Sequence, residues 1–250
     1  MKNKFFAICL LTAICAGCKK EKNDDVIVFQ ASGDISARVD AFRQQLGGTL
    51  NTTPGAVGGR REINWDGVPA SLLGKPLPSN FFNNTDAGAP ASSQRGLVYE
   101  PGQGTFQVSN SNFSDVNALA AGEFNAFSGT QAFTNTSSNL WDVGFEIPGQ
   151  AIDASVSGFG IVFTDVDLEN NTSLEFFSGN KSLGKFYAPV QQAGSKFSFL
   201  GVYFKNHRIT RVKVQHGNGL LNAGEKDITN GGPKDLVILD DFLYDEPVKQ

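Results

Sequence analysis

The chain has almost no cysteine. Its three cysteines, Cys9, Cys15 and Cys18, all lie near the N-terminus. The remainder therefore offers no disulfide, no thiolate zinc site and no cysteine nucleophile. Histidine is also scarce, with two residues, and no G-x-S-x-G, H-E-x-x-H or phosphate-binding loop occurs. These absences weigh against the enzyme classes that depend on such groups, and we expect a protein that is not an enzyme.

Basic charge and polar aromatic residues are also in short supply. Lys and Arg number 21 against 25 Asp and Glu, with a net charge of −4 and no long basic run beyond the N-terminal region. Phosphate recognition needs clustered basic side chains, so nucleic acid is not an expected partner. Phe outnumbers Tyr and Trp, at 21 against 4 and 2. Because Phe has no polar group, most of these rings should lie in a core.

The N-terminus has the pattern of a bacterial lipoprotein leader. Lys2 and Lys4 precede an apolar run at 5–16 that is too short to span a bilayer. The run ends in Cys15-Ala16-Gly17-Cys18, which resembles a lipobox, although Cys15 stands where an aliphatic residue is usual. We expect removal of residues 1–17 and lipidation of Cys18. The alternative is an ordinary cleaved secretory leader.

A charged stretch at 18–25 follows the leader and should act as a flexible tether. Lys19 rather than Asp follows the cysteine, which in lipoproteins favours the outer membrane. The mixture of Lys and acidic residues also resembles signals that export lipoproteins to the cell surface, and a plain solvated linker is the alternative. We therefore expect an outer-membrane lipoprotein with a single domain at 26–247, and both surface exposure and a plain linker stay open.

The region 158–218 predicts the fold. It contains short apolar runs separated by turn residues at even spacing, and a closing apolar run follows at 235–246. Such spacing is typical of an all-β antiparallel β-sandwich of jelly-roll type. One helix is predicted near 34–46, capped by Ser32 or Asp34, with an apolar stripe that should pack on the sandwich. The segments 95–100 and 105–109 read as strands joined by a hairpin-like turn.

Several segments resemble an uncharacterised family of secreted or anchored bacterial proteins. The resemblance lies in GRREINWDGVP at 59–69 and in the SLEFF, FSFLGVYF and DLVILDDFLYDEP runs between 173 and 247. It covers most of the chain after the leader and implies secretion, but it carries over no functional residue. The C-terminal half also resembles the galactose-binding-like jelly rolls of carbohydrate-binding modules, which implies a fold and not a ligand.

Acidic residues at a predicted strand end suggest a calcium site. Asp165 and Asp167 end a central strand, and calcium prefers six to eight oxygen ligands. Asp240 and Asp241 in the last strand could complete a structural Ca²⁺ site, although strand alternation should place them on opposite faces. The alternatives are a solvated turn at 165–171 and, for the Asp240–Asp241 pair, a buried contact with Arg60, Arg61 or Arg211.

A second set of residues could bind a sugar. Trp stacks on sugar rings, and polar neighbours satisfy hydroxyl groups, so the candidate ligand-binding residues are Arg61, Asn64, Trp65 and Asp66. The alternative is that Trp65 anchors this segment in the core. A glycosidase would need two opposed carboxylates, and the acids that could pair are Glu62, Asp66, Glu146 and Glu175.

Together these patterns predict a monomeric, non-catalytic lipoprotein of the cell envelope. It would be held at the membrane by lipid on Cys18 and would act as a binding or surface-structure module, with extracellular glycan as the ligand class. Two alternatives stay open. One is a hydrolase acting on polysaccharide, and the other is an adhesion or matrix protein with no small ligand.

Overall fold

The computed structural model describes residues 25–250. The predicted leader at 1–17, Cys18 and all of the tether except its last residue lie outside the described residues. Within residues 25–250, no helix has both the length and the apolar character needed to cross a bilayer.

The described chain forms fourteen β-strands and one α-helix, α1, at Ser36–Leu46. The first seven strands are β1 Val26–Ser32, β2 Arg60–Ile63, β3 Leu97–Tyr99, β4 Phe106–Ser109, β5 Ala132–Asn135, β6 Leu140–Phe145 and β7 Ala154–Ser155. The other seven are β8 Gly158–Thr164, β9 Ser173–Ser178, β10 Lys181–Tyr187, β11 Phe197–Phe204, β12 Arg211–Gln215, β13 Ile238–Asp245 and β14 Val248–Lys249. Short 3₁₀ turns lie at Ala70–Leu72, Ala91–Ser93, Ala118–Ala120 and Leu221–Ala223.

Two antiparallel sheets face each other across the main core. The seven-stranded sheet has the order β1-β11-β8-β13-β5-β4, with β2 paired to the C-terminal part of β13. The five-stranded sheet has the order β10-β9-β12-β6-β3, and β7 pairs separately with β14. The predicted antiparallel β-sandwich with one N-terminal helix is therefore confirmed. The chain crosses repeatedly between the sheets, as in jelly-roll sandwiches.

One predicted hairpin is wrong. The strands β3 and β4 do not pair with each other: β3 pairs with β6 in the five-stranded sheet, and β4 pairs with β5 in the seven-stranded sheet. The Pro101-Gly102-Gln103-Gly104 turn thus carries the chain from one sheet to the other. A turn-rich sequence between two strands predicts a reversal of direction but does not determine whether the strands hydrogen-bond to each other.

The core between the sheets is dominated by aromatic rings, as the Phe-rich composition predicts. Phe133 stacks on Trp65 with ring centroids 4.0 Å apart and on Tyr99 at 5.4 Å. Trp141 and Phe242 meet Phe133 edge-on at 5.7 Å each. Such offset and edge-to-face contacts add to the free energy gained by burying the rings.

The helix covers the outer face of the seven-stranded sheet. Asp34 rather than Ser32 accepts a hydrogen bond from the backbone N–H of Ser36, at 3.1 Å. The predicted apolar stripe is buried, and Phe42 lies over Gly160 and Gly201. A β-carbon at either glycine would lie about 3 Å from the Phe42 ring (2.8 Å at Gly160 and 3.1 Å at Gly201). The two glycines therefore allow the helix to approach the sheet closely.

The segment 110–128 covers the other end of the same face. Its buried residues Phe113 and Phe124 pack on Ala132 of β5 and Ile238 of β13. The five-stranded sheet is different: among residues 25–250 no helix packs on its outer face, and that face carries half-exposed polar side chains. The two sheets therefore differ in what their outer faces can contact.

Candidate functional site

Five carboxylates converge at the end of β8. Oxygens of Glu123, Asp165 and Asp227 lie within 4.8 Å of one another, and so do oxygens of Asp167, Asp227 and Asp235. Asp227 belongs to both groups, so the five acids form one cluster, which we call the acidic cluster. Its members come from three separate connections, after β8, after β4 and between β12 and β13.

The backbone at the start of the cluster is held in an uncommon conformation. Asp165 has a φ of +72°, and its N–H donates to the Lys196 carbonyl at 2.8 Å. Gln191 binds both acids of this turn, since its Nε2 donates to Asp165 Oδ1 at 2.9 Å and to Asp167 Oδ1 at 2.5 Å. The amide holds the two carboxylates side by side, although both residues lie beyond the end of β8 at Thr164 and strand alternation does not place them.

The cluster contains oxygens that are occupied and oxygens that are free. Asp235 accepts from the N–H groups of Asp167 and Leu168, and Asp227 accepts from Thr229 and Leu236. By contrast, Asp165 Oδ2 and Asp167 Oδ2 are buried and have no hydrogen-bond partner within the described part of the chain. The residue Asp165 is only 1% exposed. A buried charged oxygen without a partner is costly unless a proton or a cation satisfies it.

Burial and mutual repulsion shift the protonation of these acids. Burial, followed by the charges of Asp227 and Asp167, raises the pKa of Asp165 to about 8. Burial also raises the pKa of Asp167 and of Asp235, and the neighbouring Asp227 adds to both shifts. The Asp165 carboxyl therefore holds a proton at neutral pH when no cation is bound.

The structure corrects the composition of the predicted metal site. Asp240 and Asp241 belong to neither group of converging acids, and Glu123, Asp227 and Asp235 take their place. The convergence of these three acids could not be predicted, because they lie in connections whose sequence has no periodic pattern. The available signal was weak: Asp227 begins an Asx turn, with its Oδ1 accepting from the Thr229 N–H at 2.8 Å.

Asp240 and Asp241 form a separate polar cluster on the outer face of the seven-stranded sheet. The register between β13 and β8 shifts between Leu239 and Phe242, so one extra residue lies on β13. This bulge brings the two adjacent carboxyls together around Ser128, where Asp240 accepts from its N–H and Asp241 from its hydroxyl. The expectation that alternation separates them is therefore wrong, because a bulge breaks the alternation.

The predicted arginine contact of this pair is also corrected. Arg43 of α1, and none of Arg60, Arg61 and Arg211, lies next to Asp241, with Nη2 3.5 Å from Oδ2. Burial, and then the charge of Asp241, raises the pKa of Asp240 well above its ordinary value. The helix that covers the sheet thus supplies the nearest cation to a pair that would otherwise be destabilising.

Asp240 makes the free energy of unfolding depend on pH. Because the pKa of Asp240 is raised to about 9 in the folded state, the folded protein binds up to one more proton than the unfolded chain between about pH 4 and about pH 9. Stability should therefore fall as pH rises through this window, and Asp240→Asn should remove up to about 1.4 kcal/mol per pH unit of that slope. Urea unfolding at about pH 5 and about pH 8 measures it. The exposed Asp86→Asn is the control, and an unchanged slope in Asp240→Asn would contradict the assignment.

The candidate sugar-binding residues do not form one surface. Trp65 is 1% exposed, lies in the core and donates from Nε1 to the Asp240 carbonyl at 2.8 Å. Arg61 is buried and pairs with Glu246 at 2.7 Å. Asn64 is exposed beside a cleft of about 270 Å³, and Asp66 accepts from the Thr130 N–H at 2.9 Å. The expectation of a sugar-stacking Trp65 is corrected, because core side chains enclose its ring.

The four acids considered for hydrolysis have four different sets of partners. Glu62 accepts from Arg60 Nε at 2.6 Å beneath the helix, whereas Glu175 accepts from Ser182 at 2.9 Å on the opposite sheet. Glu146 accepts from Asn83 Nδ2 at 2.7 Å, and the Asp66 contact is with Thr130. Glu62 and Glu175 thus lie on opposite sides of the sandwich, which is not the opposed pair that glycosidases use.

The outer face of the five-stranded sheet, which we call the open face, carries charged side chains in register. Lys185, Glu175, Lys213 and Asp142 lie opposite one another on β10, β9, β12 and β6. In the next row, the Arg211 guanidinium lies over the Phe177 ring at 3.8 Å and donates to Asp142 at 2.6 Å. The alternation of β12 could be predicted from its sequence, but this row could not. The register between strands that are distant in the chain leaves no pattern within any one segment.

Two clefts open beside this row. The first, of about 420 Å³, is lined by Gln103, Ser138, Asp142 and Lys213 among others. The second, of about 480 Å³, is lined by residues that include Glu100, Gly144, Glu146, Arg211 and Gln250. Because Arg211 and Lys213 are neighbouring outward residues of β12, the two clefts lie next to each other on the open face.

Comparison of the chain with known protein families, with curated proteins and with solved structures returns no match. The resemblance to secreted or anchored bacterial proteins therefore stays a prediction, and functional arguments have to rest on the residues and geometry of the chain itself.

Proposed function

We propose that the protein is a non-catalytic binding module of the cell envelope, with extracellular glycan as its ligand and the open face as its binding surface. The single observation that carries this proposal is the row of alternating charged side chains on a sheet face that no helix covers within residues 25–250.

The chemistry of the row suits a polyhydroxylated ligand. Each sugar hydroxyl can both donate and accept, and the row offers donors at Lys185 and Lys213 and an acceptor at Glu175 between them. The fourth member, Asp142, is buried and already accepts from Arg211 and Gln103. Neighbouring strands lie about 4.8 Å apart, so donors and acceptors recur at a spacing comparable with one sugar ring. A glycan lying across the strands would meet a new partner on each of β10, β9 and β12.

The composition favours polar recognition over stacking. The two Trp residues are buried, and the exposed side of Phe177 is covered by Arg211. We therefore expect hydrogen bonds from charged groups to supply most of the binding free energy. An open face with few stacking rings also suits modest affinity for an extended polymer.

The proposal includes the envelope location predicted from the N-terminus. Lipid on Cys18 would hold the sandwich at the outer membrane, with residues 18–25 as the tether, and this would present the open face to the surroundings. Mass spectrometry of the N-terminal peptide from a membrane fraction checks the lipid. An unmodified N-terminus beyond residue 17 would instead indicate a simple secretory leader.

The glycan proposal is tested with Lys213→Ala. Lys213 stands between Glu175 and Asp142 in the row and lines the first cleft. Loss of its ammonium should weaken binding to a glycan array by at least about tenfold, or about 1.4 kcal/mol. Arg38→Ala is the matched control, because it removes one positive charge from the exposed side of α1 on the other side of the sandwich.

Three results would contradict the glycan proposal. Equal binding by Lys213→Ala and wild type would exclude the open face, and a blank array with folded protein would favour a matrix component without a small ligand. Release of reducing sugar from a polysaccharide panel, lost on alanine substitution at Glu62, Asp66, Glu146 or Glu175, would favour the hydrolase.

A further inference from the structure

We propose that the acidic cluster is a calcium site, with Asp227 at its centre, Asp165 and Glu123 on one side of it and Asp167 and Asp235 on the other. This assignment is independent of the glycan proposal, because it concerns the end of β8 and not the open face. No ligand role has to be assumed for Asp240 or Asp241.

Charge balance is the first argument. Five carboxylates converge, and the nearest cation in the described chain is Lys196, whose Nζ lies 3.9 Å from Glu123 Oε2. That ammonium already donates to the carbonyls of Gly122 and Glu123. It therefore lies at the edge of the cluster and does not neutralise the central acids.

The free oxygens are the second and independent argument. Asp165 is 1% exposed. One of its carboxylate oxygens lies within 4.8 Å of an oxygen of Glu123 and of an oxygen of Asp227. Its Oδ2, like Asp167 Oδ2, has no donor within residues 25–250. Gln191 meanwhile holds both Oδ1 atoms. The two carboxylates are thus positioned with one oxygen each unsatisfied, as metal ligands require.

The donor set favours calcium over other cations. Every candidate ligand atom is a carboxylate oxygen, and neither Cys nor His is among them, which argues against zinc and copper. The acids come from separate connections in an irregular arrangement. Calcium accepts six to eight oxygens in flexible geometry, whereas magnesium demands a near-ideal octahedron and usually retains several waters.

Calcium at this position would join three connections of the sandwich. Asp165 and Asp167 follow β8, Glu123 lies in the segment that covers β5 and β13, and Asp227 and Asp235 precede β13. The ion would therefore stabilise the end of the sandwich where the longest irregular segments meet. Its effect should appear as thermal stability of the whole domain.

Thermal unfolding of the full-length protein, first with chelator and then with Ca²⁺, tests the proposal. Calcium at a hundredfold excess over its Kd should raise Tm by about 5–10 °C, and calorimetric titration should give one ion per chain. Asp165→Asn should fold, since a neutral amide of the same shape replaces a buried carboxyl, and should show a Tm without calcium at least equal to that of wild type. It should lose the calcium response.

Control variants and ions make each outcome decisive. Asp86→Asn, which removes an exposed carboxylate, should respond to calcium as wild type does. No Tm shift in wild type, an undiminished shift in Asp165→Asn, or an equal shift with Mg²⁺ would overturn the assignment.

Discussion

Replacing Trp65 with alanine should lower the free energy of unfolding by about 3–5 kcal/mol. The indole stacks on Phe133 at 4.0 Å and meets Phe242 and Phe82 edge-on at 4.9 and 5.4 Å. Removing it would leave a cavity at the centre of the core and an unsatisfied carbonyl at Asp240. Urea unfolding followed by intrinsic fluorescence of Trp141 measures the change.

Trp65→Phe is the matched control for this prediction. It keeps an aromatic ring against Phe133 and removes the N–H that donates to the Asp240 carbonyl, so it should cost less, at about 1–3 kcal/mol. The two variants also distinguish a core role for Trp65 from a role in ligand binding. A Trp65→Ala protein with unchanged stability and lost glycan binding would restore the ligand role that the sequence suggested.

Replacing Arg61 with methionine should also destabilise the fold by about 3–5 kcal/mol. Arg61 is fully buried, and its Nη2 lies 2.7 Å from Oε1 of Glu246, which is 4% exposed. Without the guanidinium, Glu246 would retain only the donor from Asn51, at 2.8 Å. A buried carboxylate left with one neutral partner loses most of what compensated its desolvation.

Two further variants test whether the loss of stability in Arg61→Met comes from burial of the ion pair. Arg60→Met removes the adjacent arginine, whose partner Glu62 is 16% exposed at the side chain, and should cost about 1 kcal/mol. Arg61→Met combined with Glu246→Gln should recover part of the stability, because no charge is then left buried. If Arg60→Met and Arg61→Met lower the free energy of unfolding equally, the deeper burial of the Arg61–Glu246 pair has no energetic consequence.

The two proposed sites place different demands on the sandwich. The calcium site lies where irregular connections meet and their carboxylates repel one another, so loss of the ion should lower stability. The open face is built on paired strands, so its variants should change binding and leave Tm close to wild type. A variant set measured for both properties can therefore attribute each effect to one site.

The fold class and the helix could be predicted from the sequence alone. Alternation along β12, the even spacing of turns and the stripe of Ile35, Val39, Phe42 and Leu46 are local patterns, and the structure bears out all of them. They are readable because periodicity in one segment directly reflects which side of that segment is buried.

The contacts between distant residues could not be predicted, because they depend on the tertiary structure. The bulge at Asp240 and Asp241, the crossing of the 101–104 turn between sheets and the arrival of Glu123, Asp227 and Asp235 beside Asp165 all depend on register and on irregular connections. Trp65 shows the same limit, since a tryptophan among polar residues suits a binding surface and a core anchor equally. Local chemistry is set by neighbouring residues in the chain, whereas burial and clustering are set by long-range packing, which no single segment encodes.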